Sequence, residues 1–362
     1  MPQLFYDPAK TFDENVADGP YFDNIPKLVR NGEPQFTFLG FPIYLPFGIA
    51  AGPLPTSKHV KAAFDWGYDV VHYKTMRTVP FPANPFPNVI PIDVEGDITL
   101  EAADMGLTVR DDFPTDIKKL VITNSFGNPG LGPDFWVDDM KKAVVSAHER
   151  QVMVASTFGT AREGMSSEEF WQDFADASKM AVGTGAKIIE LNLSCPNVVG
   201  EGIVCYTPDA VIGICKRTRE AIGDTPLMIK LGYFSDKQQT LLEHIMEEVD
   251  QYINAVALIN TIPAKIYNKQ GGQALPGEGR LTSGLCGAGI KWAGLDMVKR
   301  LGSLRKQKGY SYEIAGIGGV MTPDDFFEYR QAGAELVQAC TSPMWNPNLA
   351  AEIKQFLENQ AQ

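Results

Sequence analysis

The chain has 362 residues, enough for two ordinary domains or one large barrel, and its 44% hydrophobic and 21% charged content is that of a globular protein with a sizeable core. A formal net charge of −12 without any basic cluster excludes nucleic acid as the expected partner. Five cysteines, at 195, 205, 215, 286 and 340, without a Cys-x-x-Cys pair argue against a disulfide framework, an iron–sulfur cluster or a structural zinc, so no metal site is expected. Reduced thiols, a start (Met1-Pro2-Gln3-Leu4-Phe5) unlike a signal peptide and no membrane-spanning apolar run together predict a cytoplasmic protein.

Residues 1–40 read as an N-terminal arm laid over one large domain, 41–362. From about residue 41 the pattern turns regular. Phe47 to Gly52 is a first strand ending in small residues, including Ala51, and a helix over 56–66 stops at Gly67. A second strand runs from Asp69 to Lys74-Thr75. Prolines at 80, 82, 85, 87 and 91 exclude a helix across 78–118. Extended pieces near 89–94 and 98–101 predict a small β insertion there. The polar loop Thr123-Asn124-Ser125-Phe126-Gly127-Asn128 follows, then a helix over 134–147.

The alternation resumes with a strand at 152–156 and a helix to 183 opened by the capping box Ser166-Ser167-Glu168-Glu169. A strand at 187–193 follows, then a helix capped by Thr207 before Pro208. Further strands are expected at 227–231, 255–260, 312–315 and 335–339, with helices over 235–249, 289–301, 322–332 and 348–359. Residues 262–286 read as glycine-rich and irregular. Eight short apolar strands without alternation, each followed by a helix, predict a (β/α)8 TIM barrel with the N-terminal arm and small β insertions. The competing open doubly wound sheet lacks its G-x-G-x-x-G turn.

In such a barrel the carboxyl ends of the strands meet on one face, and ligands bind there. The stretch Asn192-Leu193-Ser194-Cys195-Pro196-Asn197 delivers two amides, a hydroxyl and a thiol at one strand end. Asn192 and Asn197 suit a planar ligand with amide-like edges. Cys195 is the one residue of the stretch able to act readily as a base or nucleophile. Lys74 and Lys230 each end an apolar strand, which places an ammonium in a semi-buried mouth. Gly318-Gly319, before a helix cap at Thr322, offers backbone N–H groups to a phosphate, and Ser283 to Gly287 adds a second such turn. A phosphate cradle, two lysines and several amides fit a flavin mononucleotide, with a lysine near the N1/O2 edge stabilising charge in the reduced ring.

On these motifs the chain resembles the dihydroorotate dehydrogenase family over roughly residues 41–345. Leu191 to Asn197 resembles the family's base-bearing loop, and its Cys resembles the soluble class 1 enzymes, where class 2 enzymes carry Ser. Asn124 to Gly127 resembles the substrate loop and Asn260-Thr261 the second substrate pair. The resemblance implies FMN as cofactor, contacted by Ala51, Gly52, Lys74, Thr75, Asn124, Asn192, Lys230, Gly284, Gly318, Gly319, Cys340 and Thr341. It implies dihydroorotate as substrate, contacted by Lys74, Asn124, Phe126, Gly127, Asn128, Asn192, Asn197, Asn260 and Thr261. It further implies that Cys195 takes a proton from C5 while a hydride leaves C6 for flavin N5. Class 1 likeness implies a homodimer, and the second electron acceptor stays open.

Some features depart from the pattern. The arm is longer than in compact class 1 enzymes and lacks the apolar helical pair of class 2. Thr261 stands where class 1 more often has Ser. Gly200 to Cys205 and Gln338 to Thr341 resemble dihydropyrimidine dehydrogenases, although those usually carry His where this chain has Asn197. A dihydrouracil-type dehydrogenase and a non-catalytic flavin- or phosphate-binding barrel are the alternatives. Protein colour, and bleaching by dihydroorotate against dihydrouracil, separate the three.

Overall fold

The computed structural model of the chain describes residues 3–26, 30, 32–194 and 203–360. Eight parallel strands close into a barrel in sequence order: β1 (Phe47–Ile49), β2 (Val70–Met76), β3 (Val152–Thr157), β4 (Ile188–Asn192), β5 (Leu227–Leu231), β6 (Ala255–Leu258), β7 (Glu313–Ile317) and β8 (Leu336–Ala339). Gly48 pairs with Val70 at one seam and Val337 with Phe47 at the closing one. The expected (β/α)8 barrel is therefore the fold. A helix follows every strand, from Ser57–Asp65 after β1 to Leu349–Gln360 after β8. The insertions interrupt only the connections after β2 and β6.

Local chemistry sets the helix starts. Ser166 and Glu169 form the expected capping box, Thr322 and Asp325 form another, and Pro133, Pro208 and Pro323 occupy first turns. Thr207 precedes its helix as expected, but its side chain makes no capping bond.

The strands are buried on both faces. Val71, Tyr73, Ile189, Leu191, Ile229 and Leu231 pack outward in the helix-covered core. Val70, Val152, Ile188, Met228, Ala255 and Leu336 face a separate interior cluster near the strand starts. Phe38 and Ile43, from the hairpin Phe36–Phe38 and Phe41–Ile43, belong to that cluster, so the hairpin plugs the amino end of the barrel. The arm ahead of it bridges Leu4 to Tyr21, holds a helix at Phe12–Asp18 and buries Phe5 against Phe22 and Tyr68.

Two expectations are corrected. Residues 262–286 are not irregular throughout: Ile262–Tyr267 and Thr282–Gly287 are antiparallel strands. Ile262, Ala264 and Ile266 are buried while Pro263, Lys265 and Tyr267 are half-buried, a period of two that the intervening glycines hide. With Leu107–Thr108 and Val121–Asn124 they form a four-stranded sheet. Residues 98–101 are not extended: Thr99 accepts from the Ala102 N–H and opens the helix Leu100–Met105. The extended piece at 89–94 does hold, as bridges from Pro91 to Ile122 and Ile92 to Val109.

Candidate active site

The second sheet brings its strand ends to the carboxyl face of the barrel. Its register places Asn124 opposite Gly284. Asn192 ends β4, Lys230 is the penultimate residue of β5, and Asn260 lies two residues past β6. Lys74 and Thr75 lie inside β2, which runs on to Met76.

Most of these residues line one chamber at the carboxyl face. Ala51, Gly52, Lys74, Thr75, Asn124, Phe126, Asn128, Asn192, Asn260, Cys340 and Thr341, all singled out from the sequence, line it. A second, inner chamber adjoins it and adds Lys230, Thr261, Gly318 and Gly319. The two share Ala51, Asn124, Asn260, Cys286, Cys340 and Thr341, so they form one elongated cleft. Gly127 and Gly284 are not among its lining residues; Gly127 packs against Asn84 and Gly284 against Thr261. Cys195 and Asn197 lie outside the described residues.

Both lysines are buried, at 7% exposure for Lys74 and 3% for Lys230. Lys74 Nζ donates to Asn128 Oδ1 at 2.8 Å. Asn128 takes a left-handed backbone with φ 54°, and its carbonyl accepts from Arg77 Nε at 3.1 Å. Arg77 is fully buried between the rings of Phe81 and Phe158, so this guanidinium fixes the loop that Lys74 meets. Arg280 ties the second sheet to the same loop by donating to the Ser125 carbonyl and hydroxyl. Asn260 Nδ2 donates to the Ser194 carbonyl at 2.8 Å, which ties β6 to the residue that leaves β4.

The inner chamber is a cradle. Gly318 and Gly319 have φ of 116° and 66°, and a Cβ on Gly319 would stand 2.7 Å from the Lys291 backbone nitrogen. A Cβ on Gly284 would stand 2.5 Å from Thr261 Oγ1, which is itself buried without a hydrogen-bond partner among the described residues. Burial pushes the Cys340 thiol up while Lys230 and Lys74 pull it back. Burial first, and the neighbouring Cys340 second, push Cys286 up to about 12, and burial pushes Cys205 up to about 12 as well. Neither is poised to take a proton near neutral pH.

Sequence reading misses two walls of the chamber. Tyr6 and Phe12 of the arm line its outer end, with Tyr6 edge-on to Phe126 at 5.6 Å. The arm has no periodicity to betray them. Cys286 is a third lining residue, noted from sequence only as part of a glycine-containing turn.

The family model described as dihydroorotate dehydrogenase matches residues 114–360. A dihydroorotate dehydrogenase of Dictyostelium discoideum is 35% identical over 356 residues, covering 95% of each chain. The catalytic subunit of dihydroorotate dehydrogenase B (NAD(+)) from Petrotoga mobilis is 34% identical over 179 residues, 49% of this chain and 56% of that protein. A crystal structure of the Eimeria tenella dihydroorotate dehydrogenase with ferulenol superposes with TM-score 0.67 over 93% of this chain and 88% of that one, at 18% identity, a likeness of fold. With a family match over most of its length, a full-length relative and the barrel itself, the chain belongs to the dihydroorotate dehydrogenase family, oxidoreductases that act on a CH–CH bond.

Proposed function

We propose that the protein oxidises (S)-dihydroorotate to orotate with FMN as cofactor. The observation that carries this reading is the convergence of two buried lysines and four asparagines on one elongated cleft with two glycines at its inner end. The cleft suits FMN on its own chemistry. Gly318 and Gly319 line the inner chamber and offer backbone N–H groups to a phosphate, with no room for a side chain at 319 against Lys291, Thr261 Oγ1 is an unused buried hydroxyl, and Lys230 supplies a cation. Lys230, Gly318, Gly319, Thr341, Cys340, Ala51, Gly52 and Thr75 would hold the cofactor, with Gly284 giving it room. When bound, FMN supplies the two-electron acceptor that the residues themselves lack.

The chain's own groups do the rest. Asn124, Asn192, Asn197 and Asn260 are proposed to hold the amide edges of the substrate, with Phe126, Gly127, Asn128 and Thr261 completing the site. Lys74, placed by Asn128, supplies a charge for the carboxylate. Cys195 is proposed to remove the C5 proton. Cys195 lies three residues after Asn192, the last residue of β4, and no His or carboxylate stands between them and Glu201. An unperturbed thiol near ~8.5 must be lowered to serve, and the lysines bring the positive charge to do so.

The test is orotate formation from dihydroorotate with an artificial dye as acceptor. Wild type should turn over and Cys195→Ala should be slower by about 10²–10⁴-fold, the usual contribution of a positioned base, with its FMN retained. Equal rates in the two proteins would place the base elsewhere. Turnover of dihydrouracil in place of dihydroorotate would favour the dihydropyrimidine reading. No helix among the described residues is long and apolar enough to cross a membrane. Within this reading the protein works as a homodimer in the cytoplasm.

A further inference from the structure

Barrel interiors of this kind are filled mainly by branched apolar side chains, yet this one carries a charged layer. Val70, Ile188, Met228 and Leu336 form part of the apolar base. Two residues further along the same strands stand His72, Glu190, Lys230 and Gln338. Two further again on β2 and β4 are Lys74 and Asn192, which line the chamber. The charged layer thus lies between the apolar base and the cleft.

His72, Glu190 and Gln338 have no exposed surface. His72 Nε2 stands 3.3 Å from Glu190 Oε2. Nδ1 of the same ring is 3.2 Å from the Ile49 carbonyl oxygen, and the Gln338 amide nitrogen is 3.2 Å from that Nδ1. Lys230 sits on the neighbouring strand, level with Asn192, and its charge reaches Glu190. Burial opposes ionisation of Glu190, but His72 and Lys230 outweigh it and hold the carboxyl well below the usual range.

Stability does not explain this arrangement. Burying a carboxylate costs several kcal/mol before it is paired, and well-packed apolar residues in place of such a pair are often neutral or stabilising. The layer's position does explain it, because Lys230 is shared between Glu190 and the inner chamber.

We propose that Glu190, paired with His72 in the layer behind the chamber, offsets part of the Lys230 charge and so tunes how readily a bound flavin accepts electrons. The inference rests on the FMN reading above. Positive charge on the chamber floor favours the charge that the ring gains on reduction, and a carboxylate behind that floor pulls the other way.

The experiment is a redox titration of the purified, flavin-loaded protein against a reference dye. Glu190→Gln keeps the shape and removes the charge, so the flavin midpoint potential should move positive. Glu190→Asp keeps the charge and should return the potential towards wild type. His72→Asn leaves the carboxylate less neutralised and should move the potential negative. Opposed signs in the two variants are not what loosened packing would give. An unchanged or negative potential in Glu190→Gln overturns the proposal. If Glu190→Gln does not fold, His72→Asn decides: a negative shift supports the proposal, and no shift or a positive one overturns it. A wild type that neither carries nor takes up FMN defeats the functional reading and this inference together. A wild type with FMN and flat potentials in the variants defeats this inference alone.

Discussion

His59 is buried in the first turn of the helix Ser57–Asp65, with Nδ1 2.8 Å from Thr56 Oγ1. Gly19 of the arm packs against it so closely that a Cβ there would stand 2.6 Å from Nε2. Burial first, and the Lys58 charge second, lower the imidazole to about 3. An unfolded histidine titrates near ~6.5, so between those values the unfolded chain binds a proton that the folded one refuses. Stability therefore falls as pH drops through that window, by about 2 kcal/mol at pH ~5 from this residue. His59→Asn should flatten the decline in melting temperature between neutral pH and pH ~5, measured by circular dichroism. A decline as steep as wild type would show that His59 is not protected. Nothing in the sequence marks His59, whose environment is made by a segment 40 residues away in the chain. Lys74 and Lys230 are legible because each follows a run of strand-forming residues, which fixes both the strand and the end at which the ammonium emerges. Glu190 is legible as part of a strand, but its partner His72 is set by barrel closure.

Among the elements, the eight barrel strands are readable because each is a short, mainly apolar run and a helix follows each one. The sheet over the barrel mouth is not, because its two longest strands flank a glycine-rich turn and one contains Pro263. This sheet gives the cleft one wall, through the pairing of Thr282–Gly287 with both Ile262–Tyr267 and Val121–Asn124. Gly284 is a close-packed point of that wall, since a Cβ would stand 2.5 Å from Thr261 Oγ1. Gly284→Ala should displace Thr261 and lower FMN retention, with the barrel intact by circular dichroism. Full FMN occupancy and an unchanged affinity in that variant would mean that the sheet yields at Gly284 and does not shape the cofactor site.

At the scale of the whole molecule, the hairpin Phe36–Phe38 and Phe41–Ile43 closes the amino end of the barrel, while the second sheet and the arm wall the carboxyl end. Between them run an apolar base, a charged layer and a polar chamber. That order puts two buried lysines on the cleft, which Tyr6, Phe12 and Phe126 also line. The arm's part in this wall depends on long-range packing of aromatic residues that share no period, so it emerges only in three dimensions. The most direct measurement is anaerobic mixing of the purified protein with dihydroorotate, watching the flavin absorbance. Bleaching within a single turnover, with stoichiometric orotate and none with dihydrouracil, is the expected result. A protein without flavin, or one whose flavin stays oxidised in the presence of dihydroorotate, would contradict it.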